Sequence, residues 1–392
     1  MRYAFEDCVL DFDRRELTRR GQPVEIEPQV FDLLAFFLRH RDRVVSRDDI
    51  IAGVWEGRIV SDSALASRVN AVRRAIGDDG TSQRLIKTIV RKGFRFVGQV
   101  HEETSPPPSS AAPRAQSISF CRTVDGVSIA IATVGDGPVL VKTANWLNHL
   151  EYDWQSPVFS PMYLRLAARF RFVRYDGRGS GLSDREVGDI SLAGFERDLE
   201  AVVDHLGLQR FVLFGQSQGA AAAATFAQRY PDRVSRLILY GAYAQGRNRR
   251  GSPEDAATAQ TLLAMMREGW GREHSAFMRA FSSLYLTDAS REHIKWFADV
   301  QRLSASGEMA ARIRTACDDI DITSVLPHIK APTLVIHSRH DHVAPIEEGR
   351  RIASAIPGAK FVILDSENHI PEPTDPAWET LLREIETFAG EA

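Results

Sequence analysis

FVLFGQSQGAAAAATFA, residues 211–227, is an apolar run, then Gly215-Gln216-Ser217-Gln218-Gly219, then alanines at helix-forming positions. It reads as a buried strand, a sharp turn and a close-packed helix, with Ser217 at the tip of the turn. A nucleophile on a strained strand-to-helix turn needs small residues two positions before and after it, because backbone and sheet approach too closely for side chains. Gly215 and Gly219 meet that demand. The helix N-terminus that follows can stabilise developing negative charge, and the backbone N–H of Gln218 is placed to serve as half of an oxyanion hole.

On either side of this stretch, short runs of Leu, Ile and Val alternate with helical patterns. Ser117 to Val134 forms an opening hairpin turning at Asp125-Gly126, and Pro138–Lys142 and Phe170–Tyr175 are the next strands. Arg236–Tyr240, Pro332–His337 and Lys360–Leu364 read as buried parallel strands. Strands alternating with helices mean a layered α/β sheet. The glycines of Asp176-Gly177-Arg178-Gly179-Ser180-Gly181 lack the spacing and the following helix of a dinucleotide fingerprint. From about residue 244 to 322 runs a helical insertion rich in large apolar residues, among them Met266, Trp270, Phe281, Tyr285 and Phe297, at the place where the resemblance given below implies a cap. Most of these pack the cap itself; the rest are expected to line a cavity over Ser217 for a small apolar or amphipathic ligand. Arg247, Arg249 and Arg250 read as a solvated basic loop, with contact to an anionic ligand group as the alternative.

These motifs resemble the α/β-hydrolase superfamily across residues 117–390: the Gly-Gln-Ser-Gln-Gly turn, the Asp-Gly-Arg-Gly-Ser-Gly-Leu-Ser loop, and an acid and a histidine at strand ends in family order. The resemblance implies a mostly parallel sheet flanked by helices. It also implies a triad of Ser217, Asp341 (in HSRHDHVAP, 337–345) and His369 (in SENHIP, 366–371), without metal or cofactor. The chemistry needs all three, since serine is a poor nucleophile until an imidazole takes its proton and a carboxylate holds that imidazole's tautomer. His340 and His342 are expected to be exposed, and Asp321 and Asp365 to be cap and turn groups. One departure lies after the third strand, where relatives carry His-Gly and this chain has Ala144-Asn145 before Trp146. The Trp146 N–H would be the second oxyanion donor.

Residues 102–116, EETSPPPSSAAPRAQ, have the composition of a semi-rigid extended linker. They divide the chain into domains at 1–101 and 117–392. Residues 1–100 carry 18 Lys and Arg against 15 Asp and Glu, and the remainder 31 against 37. The sign asymmetry hidden in the net charge of −3 points to an anionic partner for the N-terminal part.

That part opens with a small antiparallel sheet over Tyr3 to Val24, then three helices. The third is capped by Ser61, carries the stripe Leu65, Val69, Val72 and Ile76, and ends at Gly77. Opposite the stripe lie Ser63, Ser67, Asn70 and Arg74, flanked by Arg68 and Arg73, a face able to read base edges and meet phosphates. A basic hairpin over Lys87–Val97, turning at Lys92-Gly93 and carrying Arg91, Lys92 and Arg95, completes a phosphate clamp. The segment resembles the OmpR/PhoB-type winged helix, in the variant at the start of CadC-like regulators. The residues that carry the likeness are Glu27-Pro28 with Phe31 to Leu34, Val45 to Arg47, Val54-Trp55, Val60 to Asp62, Arg73 to Asp79 and Arg91 to Phe96. The likeness makes residues 62–75 the recognition helix and 87–97 a wing for the adjacent minor groove.

The three cysteines follow no metal or disulfide spacing, and no signal peptide or membrane span is legible, which places the protein in the cytoplasm. The expectation is a one-component regulator that binds double-stranded DNA as a homodimer on paired half-sites. Its hydrolase-type domain would sense a small molecule. A serine hydrolase of esters or lactones with a secondary DNA-binding domain, and a hybrid that cleaves its own signal, stand beside it.

Overall fold

A computed structural model describes residues 2–12, 15–24, 26–55, 60–90, 92–103, 115–272 and 275–391. The chain divides into two compact units, one up to residue 112 and one from residue 113.

In the first unit, β1 (Arg2–Phe5), β2 (Cys8–Asp11), β3 (Glu16–Arg19) and β4 (Gln22–Val24) form an antiparallel sheet. Helix α1 (Pro28–Arg39) starts on a proline and buries Val30, Phe31, Leu33, Leu34, Phe37 and Leu38. Helices α2 (Arg47–Trp55) and α3 (Asp62–Ala75) follow. Ser61 caps α3 by accepting from the Ala64 N–H at 3.2 Å, and Leu65, Val69, Val72 and Ile76 are buried as the apolar stripe requires. The hairpin pairs β5 (Ile86–Ile89) with β6 (Gly93–Phe96). Gly93, at φ +129°, lies so close to the backbone at Val45 that a Cβ would fall 2.0 Å from its carbonyl oxygen. The last strand, β7 (His101–Glu103), pairs with β1, Tyr3 opposite Glu102 and Arg2 opposite Glu103. Two residues read as linker are therefore sheet, because the open edge of β1 supplies their backbone partners. At the other end of that stretch, Gln116 bonds the Leu150 carbonyl and accepts from Arg174, both in the second unit. The middle of the predicted linker lies outside the described residues.

The second unit is an eight-stranded sheet in the order β15-β14-β13-β12-β10-β11-β9-β8. Its strands are β8 (Ser117–Arg122), β9 (Ser128–Val134), β10 (Val139–Lys142), β11 (Arg171–Tyr175), β12 (Phe211–Gln216), β13 (Val234–Tyr240), β14 (Thr333–Ser338) and β15 (Lys360–Leu364). All but the antiparallel β8, β9 end are parallel. The helices around it are α4 (Leu150–Trp154), α5 (Ser160–Ala167), α6 (Leu192–His205), α7 (Gly219–Arg229), α12 (Ile346–Ala355) and α13 (Trp378–Gly390). Between β13 and β14 the cap supplies α8 (Pro253–Gly269), α9 (Ala276–Ser283), α10 (Arg291–Ser304) and α11 (Gly307–Asp318).

Every residue of β12 is buried, as a central parallel strand demands. A Cβ on Gly215 would lie 2.6 Å from the Ala220 Cα, and one on Gly219 2.2 Å from the Ala144 carbonyl oxygen. Both glycines are thus imposed by backbone approach. The glycine-rich loop after β11 is held by charge. The Arg178 side chain, 0% exposed, donates to Asp198 at 2.9 Å and to Asp125 at 2.8 Å. No described helix is long and apolar enough to cross a membrane.

Candidate functional site

Ser217 sits at φ +53°, a left-handed conformation that L-residues adopt rarely, and its N–H donates to the Tyr240 carbonyl at 2.9 Å. Strand β12 and helix α7 therefore hold the serine in strain at the carboxyl edge of the sheet. Asp341, three residues beyond β14, is turned inward with a side chain 1% exposed. Its Oδ1 accepts from the N–H groups of Val343 and Ala344 at 2.7 and 2.9 Å, and its Oδ2 accepts from His369 Nδ1 at 2.6 Å. Burial opposes the charged carboxylate, but the neighbouring His369 and His337 and the backbone donors outweigh it and hold the pKa below the ordinary value. The His369 Nε2 is buried with no hydrogen-bond partner among the described residues, and His369 and Ser217 line one cavity. The sequence motifs thus bring all three residues to one place.

Gln218 and Trp146 line a second cavity with Ser217, and among the described residues neither backbone N–H is engaged. Each cavity offers about 10 Å³, counted for the centre of a water-sized sphere, which is room for about one water molecule. The hydrophobic cavity expected over Ser217 is thus present only as these two small spaces. The cap closes it with aromatic rings. The Trp146 indole donates to Gln301 Oε1 at 2.7 Å and packs on Trp270 and Phe281, and Tyr285 stands edge-on to His369 with centroids 5.6 Å apart.

Several contributors escaped the sequence reading. Gly241, at φ +57°, lets the His369 ring pass where a Cβ would lie 2.9 Å from Cε1, and the Tyr240 hydroxyl donates to the His369 carbonyl at 2.8 Å. The signal for Gly241 was its place at the end of a strand. Lys142 is fully buried and donates to Asn145 Oδ1 at 2.5 Å, while the Asn145 N–H donates to Asn148 Oδ1 at 2.8 Å. The Ala144-Asn145 departure is thus part of a polar network bracing the loop that carries Trp146. Arg247, read as part of a solvated loop, is instead 8% exposed and lines the Ser217 cavity, whereas Arg249 is exposed. His340 and His342 are exposed, as expected, and Asp321 accepts from the Thr323 N–H as a local cap.

In the first unit, Ser63, Ser67, Asn70 and Arg74 are exposed together on α3, and Lys92 and Arg95 are exposed on the hairpin. Arg68 is half-buried and pairs with Glu27. Arg73 does not belong to the open face. It is 5% exposed and donates to the Ile86 carbonyl and Thr88 Oγ1, both at 2.9 Å, so it fastens the helix to the wing instead of offering itself to phosphate. Arg91 lies outside the described residues.

Comparison with known proteins agrees with this architecture. The family model for the alpha/beta hydrolase fold matches residues 152–372, more than half of the chain. That for the C-terminal part of transcriptional regulatory proteins matches residues 21–96. The AB hydrolase superfamily protein YisY of Bacillus subtilis is 26% identical over 253 residues, 64% of this chain and 91% of the relative. A 2-hydroxy-6-oxononadienedioate/2-hydroxy-6-oxononatrienedioate hydrolase of Cupriavidus pinatubonensis is 28% identical over 263 residues, 62% of this chain and 81% of the relative. Among solved structures, a hydrolase from Pseudomonas aeruginosa is 26% identical, with TM-score 0.57 over 70% of this chain and 98% of that one. A thermophilic esterase from Thermogutta terrifontis gives the same identity, TM-score and coverage. The chain belongs to the α/β-hydrolase fold family and carries ahead of that domain an OmpR/PhoB-type winged-helix domain of transcriptional regulators.

Proposed function

We propose that this protein is a cytoplasmic one-component transcriptional regulator whose hydrolase-type domain binds a small molecule and cleaves an ester or lactone bond in it. The observation that carries the chemistry is the Asp341–His369 pair at 2.6 Å with an unpartnered, buried Nε2 beside a strained serine. Asp341 stays ionised and keeps the Nδ1–H tautomer, so Nε2 is free to accept a proton. The Ser217 hydroxyl attacks the substrate carbonyl carbon as His369 Nε2 takes its proton. The resulting oxyanion is met by the N–H groups of Trp146 and Gln218. Collapse expels the leaving oxygen, which receives the proton from His369. Water, deprotonated by the same imidazole, then releases the acid and restores Ser217.

The winged helix supports the regulatory half of the proposal. Ser63, Ser67, Asn70 and Arg74 form the face presented to base edges, Arg68 sits at its margin, and Lys92, Arg95 and Arg91 of the hairpin meet phosphate. One such module makes a small interface, so the specific complex is a homodimer on two half-sites.

A short-chain 4-nitrophenyl ester tests the first half. Turnover that disappears in Ser217→Ala supports it, and equal rates in the two proteins overturn it. A regulator that senses without cleaving is the second reading, favoured by cavities holding about one water each. Turnover absent from the wild type, with a ligand recovered intact from the purified protein, would select that reading.

A further inference from the structure

The cavity that Ser217 shares with Gln218 is also lined by Arg247, Arg250 and Arg314. They come from two places in the chain. Arg247 and Arg250 follow β13, and Arg314 lies in α11. Gly246 brings them together, since a Cβ there would lie 2.4 Å from the carbonyl oxygens of Cys317 and Asp318 at the end of that helix.

The charges do not balance. Arg247 is 8% and Arg314 6% exposed, and the Arg250 side chain is 11% exposed. Asp318, fully buried, is held by Arg314 through both carboxylate oxygens, one bond being Nε to Oδ2 at 2.9 Å. Arg247 reaches the same carboxylate only at 3.4 Å and the Val343 carbonyl at 3.3 Å. Its planar fork of five N–H donors is thus little used among the described residues. Glu348, also buried, is committed elsewhere, accepting from the N–H groups of Ala244 and Gln245 and facing Arg351. Arg250 donates through Nε to the Gln245 carbonyl at 3.0 Å and has the part-exposed carboxylate of Asp255 at 3.8 Å. A guanidinium does not shed its proton, and burying one without a full counter-charge is costly. Desolvation, with Arg314 alongside, accordingly lowers the Arg247 pKa.

We propose that Arg247, backed by Arg314 and flanked by Arg250, is a carboxylate-binding subsite, so that the molecule held over Ser217 carries a carboxylate away from its scissile carbonyl. This rests on the reading of the Ser217 cavity as the ligand site. The ligand's two oxygens take the forked donors of Arg247 and supply the missing negative charge. The present room, about one water, requires the cap to yield when the ligand enters.

The test compares the mono-4-nitrophenyl ester of glutaric acid with neutral 4-nitrophenyl butyrate, which share a leaving group. Wild type should prefer the anionic ester, and Arg247→Gln should lower its kcat/KM about 10- to 100-fold. Cleavage of the neutral ester should change by less than about threefold. Arg249→Gln, exposed and two residues away, should behave as wild type, which separates a built subsite from a generally basic loop. If Arg247→Gln does not fold, Arg250→Gln takes its place and should lose several-fold on the anionic ester alone. Equal losses on both esters, or no preference in the wild type, would overturn the subsite.

Should neither ester be cleaved, the hydrolytic reading fails by itself, and the subsite is judged by titration calorimetry of the glutarate ester into Ser217→Ala protein. Binding that Arg247→Gln abolishes supports the subsite. Binding unaffected by that change, or none at all, overturns it.

Discussion

Replacing Asp341 by asparagine changes hardly any volume and yet should silence Ser217. In the native site Oδ1 accepts from the Val343 and Ala344 N–H groups and Oδ2 from His369 Nδ1. An asparagine must keep its carbonyl oxygen on the two backbone donors, because the opposite flip would set an NH2 against two N–H groups. Its NH2 then faces Nδ1. The imidazole answers by moving its proton to Nε2, the atom that has to accept from Ser217. The expected loss in kcat/KM is about 10⁴-fold, or about 5.5 kcal/mol at 1.36 kcal/mol per decade. The fold loses about one charge-assisted hydrogen bond, about 1.5–3 kcal/mol. A fluorophosphonate probe is the assay of choice, because its rate of bonding to Ser217 reports nucleophilicity even where turnover is slow, with ester hydrolysis and thermal melting alongside. If Asp341→Asn retained labelling within tenfold of the wild type, Asp341 would not be setting the tautomer, and the mechanism above would lose its orienting group.

Five further outcomes are expected. Arg178→Met leaves Asp198, 1% exposed, without its cation, and should cost the second unit about 3–5 kcal/mol in denaturant unfolding. Adding Asp198→Leu should recover much of it, and a loss under about 1 kcal/mol would refute the assignment. Burial, with Arg174 nearby, lowers the Lys142 pKa to about 7. The unfolded lysine keeps its proton to about pH 10, so from about pH 7 upward unfolding takes up a proton and stability rises with pH, by at most about 1.4 kcal/mol per unit. Urea unfolding at about pH 7.5 and 8.5 should show that rise in the wild type and its absence in Lys142→Met. In the winged helix, Arg74→Ala should weaken specific DNA binding by about 1–3 kcal/mol, and Lys92→Ala should weaken all sequences and flatten the salt dependence. Arg73→Ala should instead lower the melting temperature of the first unit, and a change in DNA affinity at unchanged stability would contradict its structural role.

What could be read in advance depended on whether the cause of a feature was local. The Gly215 to Gly219 turn was legible because the constraint acts within five residues: the backbone crowds, so side chains must vanish. The Ser61 cap and the stripe on α3 were legible for the same reason, being fixed by one helix period. Asp341 and His369 were picked out by family order, since nothing in HSRHDHVAP says which of its polar residues turns inward; that is decided by the Val343 and Ala344 N–H groups. Arg247 and Arg73 were misread because a lone arginine in a basic run looks solvated. Their partners are Asp318, 71 residues away, and the hairpin residues Ile86 and Thr88. The strand at His101–Glu103 carries no strand-forming residues beyond its pairing with β1, a long-range cause that composition does not record.

One contact bears on how a cleaving site and a sensing site can be the same site. Trp146, proposed to offer its N–H to the oxyanion, has its indole gripped by the cap, through Gln301 of α10, Phe281 of α9 and Trp270 at the end of α8. Lys142 and Asn145 brace the same loop from the sheet side. A cap that moved to admit a ligand would therefore pull on the residue proposed to complete the oxyanion hole. A ligand shifts a conformational equilibrium only by its differential affinity for the two states, and a cap that opened would loosen the hold of Gln301, Trp270 and Phe281 on Trp146. On the proposed reading, cleavage would belong to the closed arrangement and ligand entry to an open one. A triad acting only after closure would set how long a bound ligand stays, and the lifetime of the liganded state would then be a property of the chemistry proposed at Ser217.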